Sequence, residues 1–152
     1  MSPRRLLALV LLLAAAVPGA ARAAAPPPVL PAPTYASTVS REELVAMDDG
    51  VKIATTVTLP SHDGRTPAAG RFPVVMGLTP YGRNGLCSCP DAKLFSTRGF
   101  ATVVADVRGT GGSGGDLKGN YFSPREARDG AALVDHYGAQ SWSTGRVGMS
   151  GG

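Results

Sequence analysis

Gly145-Arg146-Val147-Gly148-Met149-Ser150-Gly151-Gly152 is the stretch on which the reading of this chain turns. Gly148 to Gly152 spells G-x-S-x-G, a nucleophile elbow, in which a sharp turn between a buried strand and a helix exposes a reactive serine. With Ser150 as that serine, the strand before it shrinks to about Arg146–Met149. A second register slides the motif by three residues. Arg146–Ser150 then forms the strand, with Val147 and Met149 on one face and the small Gly148 and Ser150 on the other. Gly151-Gly152 open the turn, and the attacking hydroxyl falls one elbow-step later, at position 153, just past Gly152. The second register fits better, because it leaves the elbow a strand of workable length.

A chain of 152 residues with 43% apolar content suffices for one packed domain. Its first residues have another character. Arg4-Arg5 precede an uninterrupted apolar run, Leu6–Val17, which Pro18-Gly19 break, and Ala21-Arg22-Ala23 supplies small residues suited to a signal peptidase. Twelve residues are too few for a bilayer that needs about 20. Residues 1–23 are therefore expected to be a cleavable export signal, giving a secreted or periplasmic protein with no stable membrane insertion afterwards. The two arginines are compatible with either general or twin-arginine export. Losing Arg4, Arg5 and Arg22 takes Lys+Arg from 15 to 12 against 11 Asp+Glu, so a net charge of +4 becomes +1. No basic cluster with interleaved aromatics remains, so nucleic acid is not an expected partner. Ala24–Thr38 is rich in Pro and Ala without apolar period, and residues 24–40 read as a tether before a domain over 41–152.

Within that domain, Glu43–Met47 and Val51–Leu59 flank the turn signal Asp48-Asp49-Gly50, an antiparallel hairpin. Phe72–Leu78 and Phe100–Val107 are near-continuous apolar runs, as strands of covered parallel sheets are. Between them Asp91–Thr97 predicts a short helix closed by Gly99. Ser123-Pro124-Arg125-Glu126 is a capping box with proline at the first helical position. The helix it opens runs to about Tyr137, with Ala127, Ala131, Val134 and Leu133 as its buried face. Hairpin, strand, helix, strand, helix, strand predicts an α/β fold built on an open, mostly parallel sheet.

Ligands of such sheets bind outside the carboxyl ends of the strands. Tyr81, in Thr79-Pro80-Tyr81-Gly82-Arg83, lies beyond one of those ends and could aim its hydroxyl at a developing oxyanion. It could equally be a loop aromatic packed on the sheet edge. Gly109 to Gly114 is a formal G-x-G-x-x-G after a strand, which raises a dinucleotide-binding reading. Context opposes it: Gly115–Tyr121 intervene before the next helix, and the acids about 20 residues on, Asp129 and Asp135, fall inside that helix. Asp106 and Arg108 read as loop braces. His62 and His136 both precede the elbow, whereas the triad order of this fold class places its histidine after the serine. Cys87 and Cys89 are too close for an unstrained bond to each other and have no histidine partner for zinc. Neither a metal nor a cofactor is expected.

Asp49-Gly50-Val51-Lys52-Ile53-Ala54, Pro80-Tyr81-Gly82-Arg83, Asp106-Val107-Arg108-Gly109-Thr110-Gly111-Gly112-Ser113-Gly114-Gly115 and Trp142 through Gly151 together resemble the Xaa-Pro dipeptidyl-peptidase and cocaine-esterase-like (CocE/NonD) hydrolases. The resemblance runs from about Glu42 onward and implies the N-terminal part of an α/β-hydrolase fold with an incomplete sheet. It places Ser150 inside the strand of a V-G-M-x-G-x-S-Y pattern and the nucleophile at position 153. It gives Tyr81 the oxyanion role. It further implies a serine nucleophile with a later Asp and His, acting through an acyl-enzyme on small-molecule esters or on peptide bonds after proline, with acid, base and nucleophile outside these residues. The alternative in a different class is an exported, non-catalytic binding module on the same sheet.

Overall fold

A computed structural model describes residues 29–85, 90–116 and 121–150. The expected export signal and the Cys87–Cys89 pair lie outside the described residues. The chain divides into two units, Met1–Leu30 and Pro31–Gly152. Of the first, Val29 and Leu30 are described, and both are exposed.

The second unit is a five-stranded sheet with two helices. In chain order these are β1 (Ser37–Ala46), β2 (Lys52–Ser61), β3 (Phe72–Thr79), α1 (Ala92–Ser96), β4 (Ala101–Asp106), α2 (Pro124–Gly138) and β5 (Ser143–Met149). Across the sheet the order is β1-β2-β4-β3-β5. β1 and β2 are antiparallel, and β2 runs antiparallel to β4. β3 lies parallel to both β4 and β5. This is the expected hairpin followed by parallel strand–helix units, the N-terminal part of an α/β-hydrolase fold.

The hairpin turns as its sequence dictates. Met47 N–H donates to Val51 C=O at 2.8 Å, Gly50 takes φ +79°, and Asp49 caps Val51 N–H at 3.2 Å. β1, however, begins at Ser37, inside the stretch expected to be tether. Thr34 and Tyr35 are already bound, both donating to Thr97 C=O, and the Tyr35 ring meets Phe72 edge-on at 5.8 Å. Partners far along the chain order a segment whose own composition carries no periodic signal.

Each face of the sheet carries one helix. Ser96 of α1 donates to Thr58 C=O at 3.2 Å, while Tyr137 of α2 shares a 2.6 Å hydrogen bond with Thr55 Oγ1. Thr55 and Thr58 are three residues apart on β2 and so point to opposite faces. The two helices therefore flank the sheet. β2 accordingly shows burial on both faces rather than simple alternation. Ile53, Val57, Leu59, Val74, Met76, Val103 and Leu133 form the core.

The buried face of α2 differs from the expected one. Asp129, Gly130, Leu133 and Tyr137 are buried, whereas Ala127 and Ala131 are exposed and Val134 is half-buried. The row Asp129, Leu133, Tyr137 looks too polar to face a sheet until its partners are known. Two arginines neutralise Asp129, Arg108 from the loop after β4 and Arg125 from one turn earlier on α2 itself. The alanine row instead lines an open groove of about 670 Å³ with Leu78, Phe122 and Met149.

Burial raises the pKa of the Tyr137 phenol well above its ordinary 10.0, opposed by the Thr55 hydrogen bond and reinforced by the Glu43 carboxylate. A raised acid pKa in the folded state means stability that is intact below the unfolded value and lost as pH rises above it. Denaturant midpoints for the wild type should hold steady to about pH 10 and then fall. Tyr137→Phe should start lower, by about 1–2 kcal/mol for the lost hydrogen bonds, and show a shallower alkaline decline.

Candidate functional site

The parallel register sets β3, β4 and β5 side by side with their carboxyl ends on one edge. Thr79 is paired with Asp106, and Met76 with Met149. The Ser150 N–H closes that last pairing by donating to Met76 C=O at 2.8 Å. β5 thus ends at Met149, and Ser150, the next residue, lines the α2 groove beside Met149 and Leu78.

Beyond Thr79 the chain turns away as Pro80-Tyr81-Gly82-Arg83. Tyr81 N–H donates to Thr79 Oγ1 at 3.1 Å, and Gly82 takes φ +91°. The Tyr81 side chain is 77% exposed, so it is not packed on the sheet edge. Two residues on, Arg83 is drawn inward. Its N–H donates to Asp106 Oδ1 and its Nη1 to Asp106 Oδ2, both at 2.5 Å. Nε reaches Thr56 Oγ1 at 3.1 Å, and Nη2 reaches Glu42 Oε2 at 3.1 Å. Asp106 is 1% exposed and also accepts from Gly112 N–H at 2.7 Å.

This explains the glycine-rich loop. A Cβ on Gly111 would lie 2.3 Å from Asp106 Oδ2, and one on Gly112 would lie 2.7 Å from Arg83 Nη1. Glycine is needed because the loop wraps closely around a buried ion pair. Its amides are already engaged: Gly109 N–H donates to Gly114 C=O, Thr110 to Val107, Ser113 to Thr110 and Gly114 to Lys52. A phosphate cradle requires such groups to be free and to lead into a helix N-terminus, so the loop geometry argues against the dinucleotide reading.

Arg108 braces the same end from the other side. It grips Asp129 with Nε at 2.8 Å and Nη2 at 3.0 Å, and meets Asp49 at 2.9 Å. Arg125 joins Asp129 at 2.9 Å and contacts Asp48. Pairing with Asp129 raises the Arg108 pKa further, and hydrogen bonding to Arg108 lowers that of Asp49. The two acids of the hairpin turn therefore reach from β1–β2 to the β4 loop and to α2. Sequence reading left Asp48, Asp49 and Arg83 without these roles. The available signal was a pair of adjacent glycines after a strand-end aspartate, which indicates a side chain under the loop.

The histidines are elsewhere. His62 follows β2, whose end pairs near the start of β4, at the opposite edge of the sheet from Tyr81, and stacks on Tyr35 at 5.1 Å. His136 lies near the end of α2 against Tyr137 at 4.8 Å. Neither comes to the edge that holds Tyr81 and Ser150.

Comparison with known proteins agrees with this architecture. A family profile described as X-Pro dipeptidyl-peptidase (S15 family) matches residues 49–152. A Mycobacterium bovis protein named as a putative serine esterase is 35% identical over 125 residues, covering 70% of this chain and 19% of its own length. The chain thus spans about a fifth of the curated relatives it matches. The crystal structure of an α-amino acid ester hydrolase is 31% identical, with a TM-score of 0.57 over 82% of this chain and 22% of that one. A CocE/NonD family hydrolase from Staphylococcus aureus, 24% identical, shares the fold with a TM-score of 0.57 over 72% of this chain and 22% of its own.

Two glycine substitutions separate backbone strain from loop closure. Gly50 has φ +79° and open space around it, so Gly50→Ala should cost about 1 kcal/mol. Gly111→Ala, at φ +52° and against the Asp106 carboxylate, should cost about 3 kcal/mol or more in denaturant titrations.

Proposed function

The chain belongs to the X-Pro dipeptidyl-peptidase (S15) family of hydrolases, and from that premise we propose that it forms the oxyanion side of an exported serine hydrolase. The bonds attacked are esters or amides of small molecules, Xaa-Pro peptide bonds among them. The serine hydroxyl adds to the substrate carbonyl as its proton passes to a histidine, giving a tetrahedral oxyanion. Tyr81 O–H and the N–H following the serine donate to that oxygen. Collapse expels the alcohol or amine, protonated by the same histidine, and water then releases the acid from the acyl-enzyme.

One observation supports this reading above the others. The Tyr81 ring stands free in solvent at the carboxyl end of β3, beside a β5 that runs to Met149 and keeps the Ser150 N–H bonded to Met76. A serine whose amide is tied to the neighbouring strand is poorly disposed to attack, so the nucleophile is assigned to the position after Gly151-Gly152 rather than to Ser150. Residues 31–152 alone should then be inert, since both histidines sit away from the site. A non-catalytic binding module would keep the same sheet and be equally inert.

A fluorophosphonate probe tests these assignments. Residues 31–152 should remain unlabelled, while the chain extended through position 153 and its later Asp and His should react. Labelling of the short chain, abolished by Ser150→Ala, would overturn the nucleophile assignment. An extended chain that stays unlabelled would favour the binding module. Export has its own readout: mass spectrometry of the secreted protein should find Ala24 as the first residue, and an intact Met1–Ala23 would refute signal cleavage.

A further inference from the structure

We infer that Asp106, acting through Arg83, is the positioning residue for the Tyr81 hydroxyl, an inference that rests on the oxyanion role proposed above. Tyr81 makes little packing contact of its own, being 77% exposed. Next to it, Gly82 turns at φ +91° with nothing within 4 Å of where its Cβ would be. Neither the ring nor the bend is fixed by its surroundings, yet an oxyanion donor must be held in place before charge develops.

What fixes the loop lies at its two ends. Upstream, Tyr81 N–H is held by Thr79 Oγ1 at 3.1 Å. Downstream, Arg83 meets Asp106 twice, once through its backbone N–H and once through its guanidinium, each at 2.5 Å. The same guanidinium reaches Thr56 on β2 and Glu42 on β1, so the loop end is referenced to three strands at once. Gly112 N–H closes the fourth side on Asp106 Oδ2 at 2.7 Å. Loosening this anchor leaves the tyrosine present but free to wander. Small misplacements of an aligned group cost rate rather than ground-state binding.

A double-mutant cycle on the chain extended through its nucleophile and the later Asp and His tests this. Tyr81→Phe should lower kcat by about 10²–10³-fold, the usual scale for one oxyanion donor. Asp106→Asn should lower kcat about tenfold or more with KM nearly unchanged, and adding it to Tyr81→Phe should cost little further rate. Because replacing a buried aspartate also destabilises the fold, Gly112→Ala provides a gentler perturbation. Its methyl would meet Arg83 Nη1 at 2.7 Å and Ala54 Cβ at 3.2 Å, so it pushes the guanidinium off its position while leaving both charges in the chain. It should give the same kcat-selective loss, with a lowered but still single, cooperative melting transition that shows the fold is kept. If Tyr81→Phe loses rate while Asp106→Asn and Gly112→Ala do not, or if their losses multiply with it, the positioning role is wrong and the oxyanion role stands. If Tyr81→Phe itself leaves kcat unchanged, both fall.

Discussion

A carboxylate taken out of water must be matched on nearly every side, and Asp106 is the place where this fold meets that demand. At the end of β4 it receives a guanidinium and a backbone amide from Arg83, and an amide from Gly112. Its own backbone C=O accepts Ser113 Oγ at 2.7 Å, and that hydroxyl in turn caps Ala54 N–H on β2 at 2.8 Å. Removing one member of such a set leaves an uncompensated buried charge, a penalty of about 3–5 kcal/mol. The loops after β3 and β4 are thus shaped by one side chain and not by their own propensities.

A second, more exposed set of charges does complementary work. Asp48 and Asp49 at the hairpin tip, Arg108 after β4, and Asp129 and Arg125 on α2 join elements separated by 77 residues in sequence. Asp129 is buried and doubly paired, so its share is the firmer one. The hairpin acids lie in solvent, where each contact contributes little. The sheet face beneath α2 is therefore secured chiefly by Leu133 and Tyr137, with the ionic cluster setting how the helix N-terminus sits over the strand ends.

The strands were legible because their signals are local. Asp48-Asp49-Gly50 marks a turn, the runs at 72–78 and 100–107 are too apolar for surface structure, and Ser123-Pro124 announces a helix. Three things were not legible, for a common reason. Ser37 enters a strand only because β2 offers it a ladder. Asp129 faces inward only because Arg108, from the loop after β4, joins Arg125 in meeting it. Gly111 and Gly112 look like a nucleotide loop until the aspartate beneath them is located. In each case the deciding partner is set in place by the tertiary fold, and local propensity does not register it. Tyr81 was legible as a candidate from its position after a strand, and its exposure adds that no neighbour competes for the ring.

The strand order has a bearing on how the chain is made. β3 finds no partner in the hairpin that precedes it, since β4 lies between it and β2. Its first neighbour begins at Ala101, more than twenty residues after Thr79. At a ribosomal pace of about 5–20 residues per second, a bare hydrophobic ribbon must wait roughly one to four seconds for shelter. Newborn copies of this protein are thus open to capture by chaperones, or by each other, during that interval.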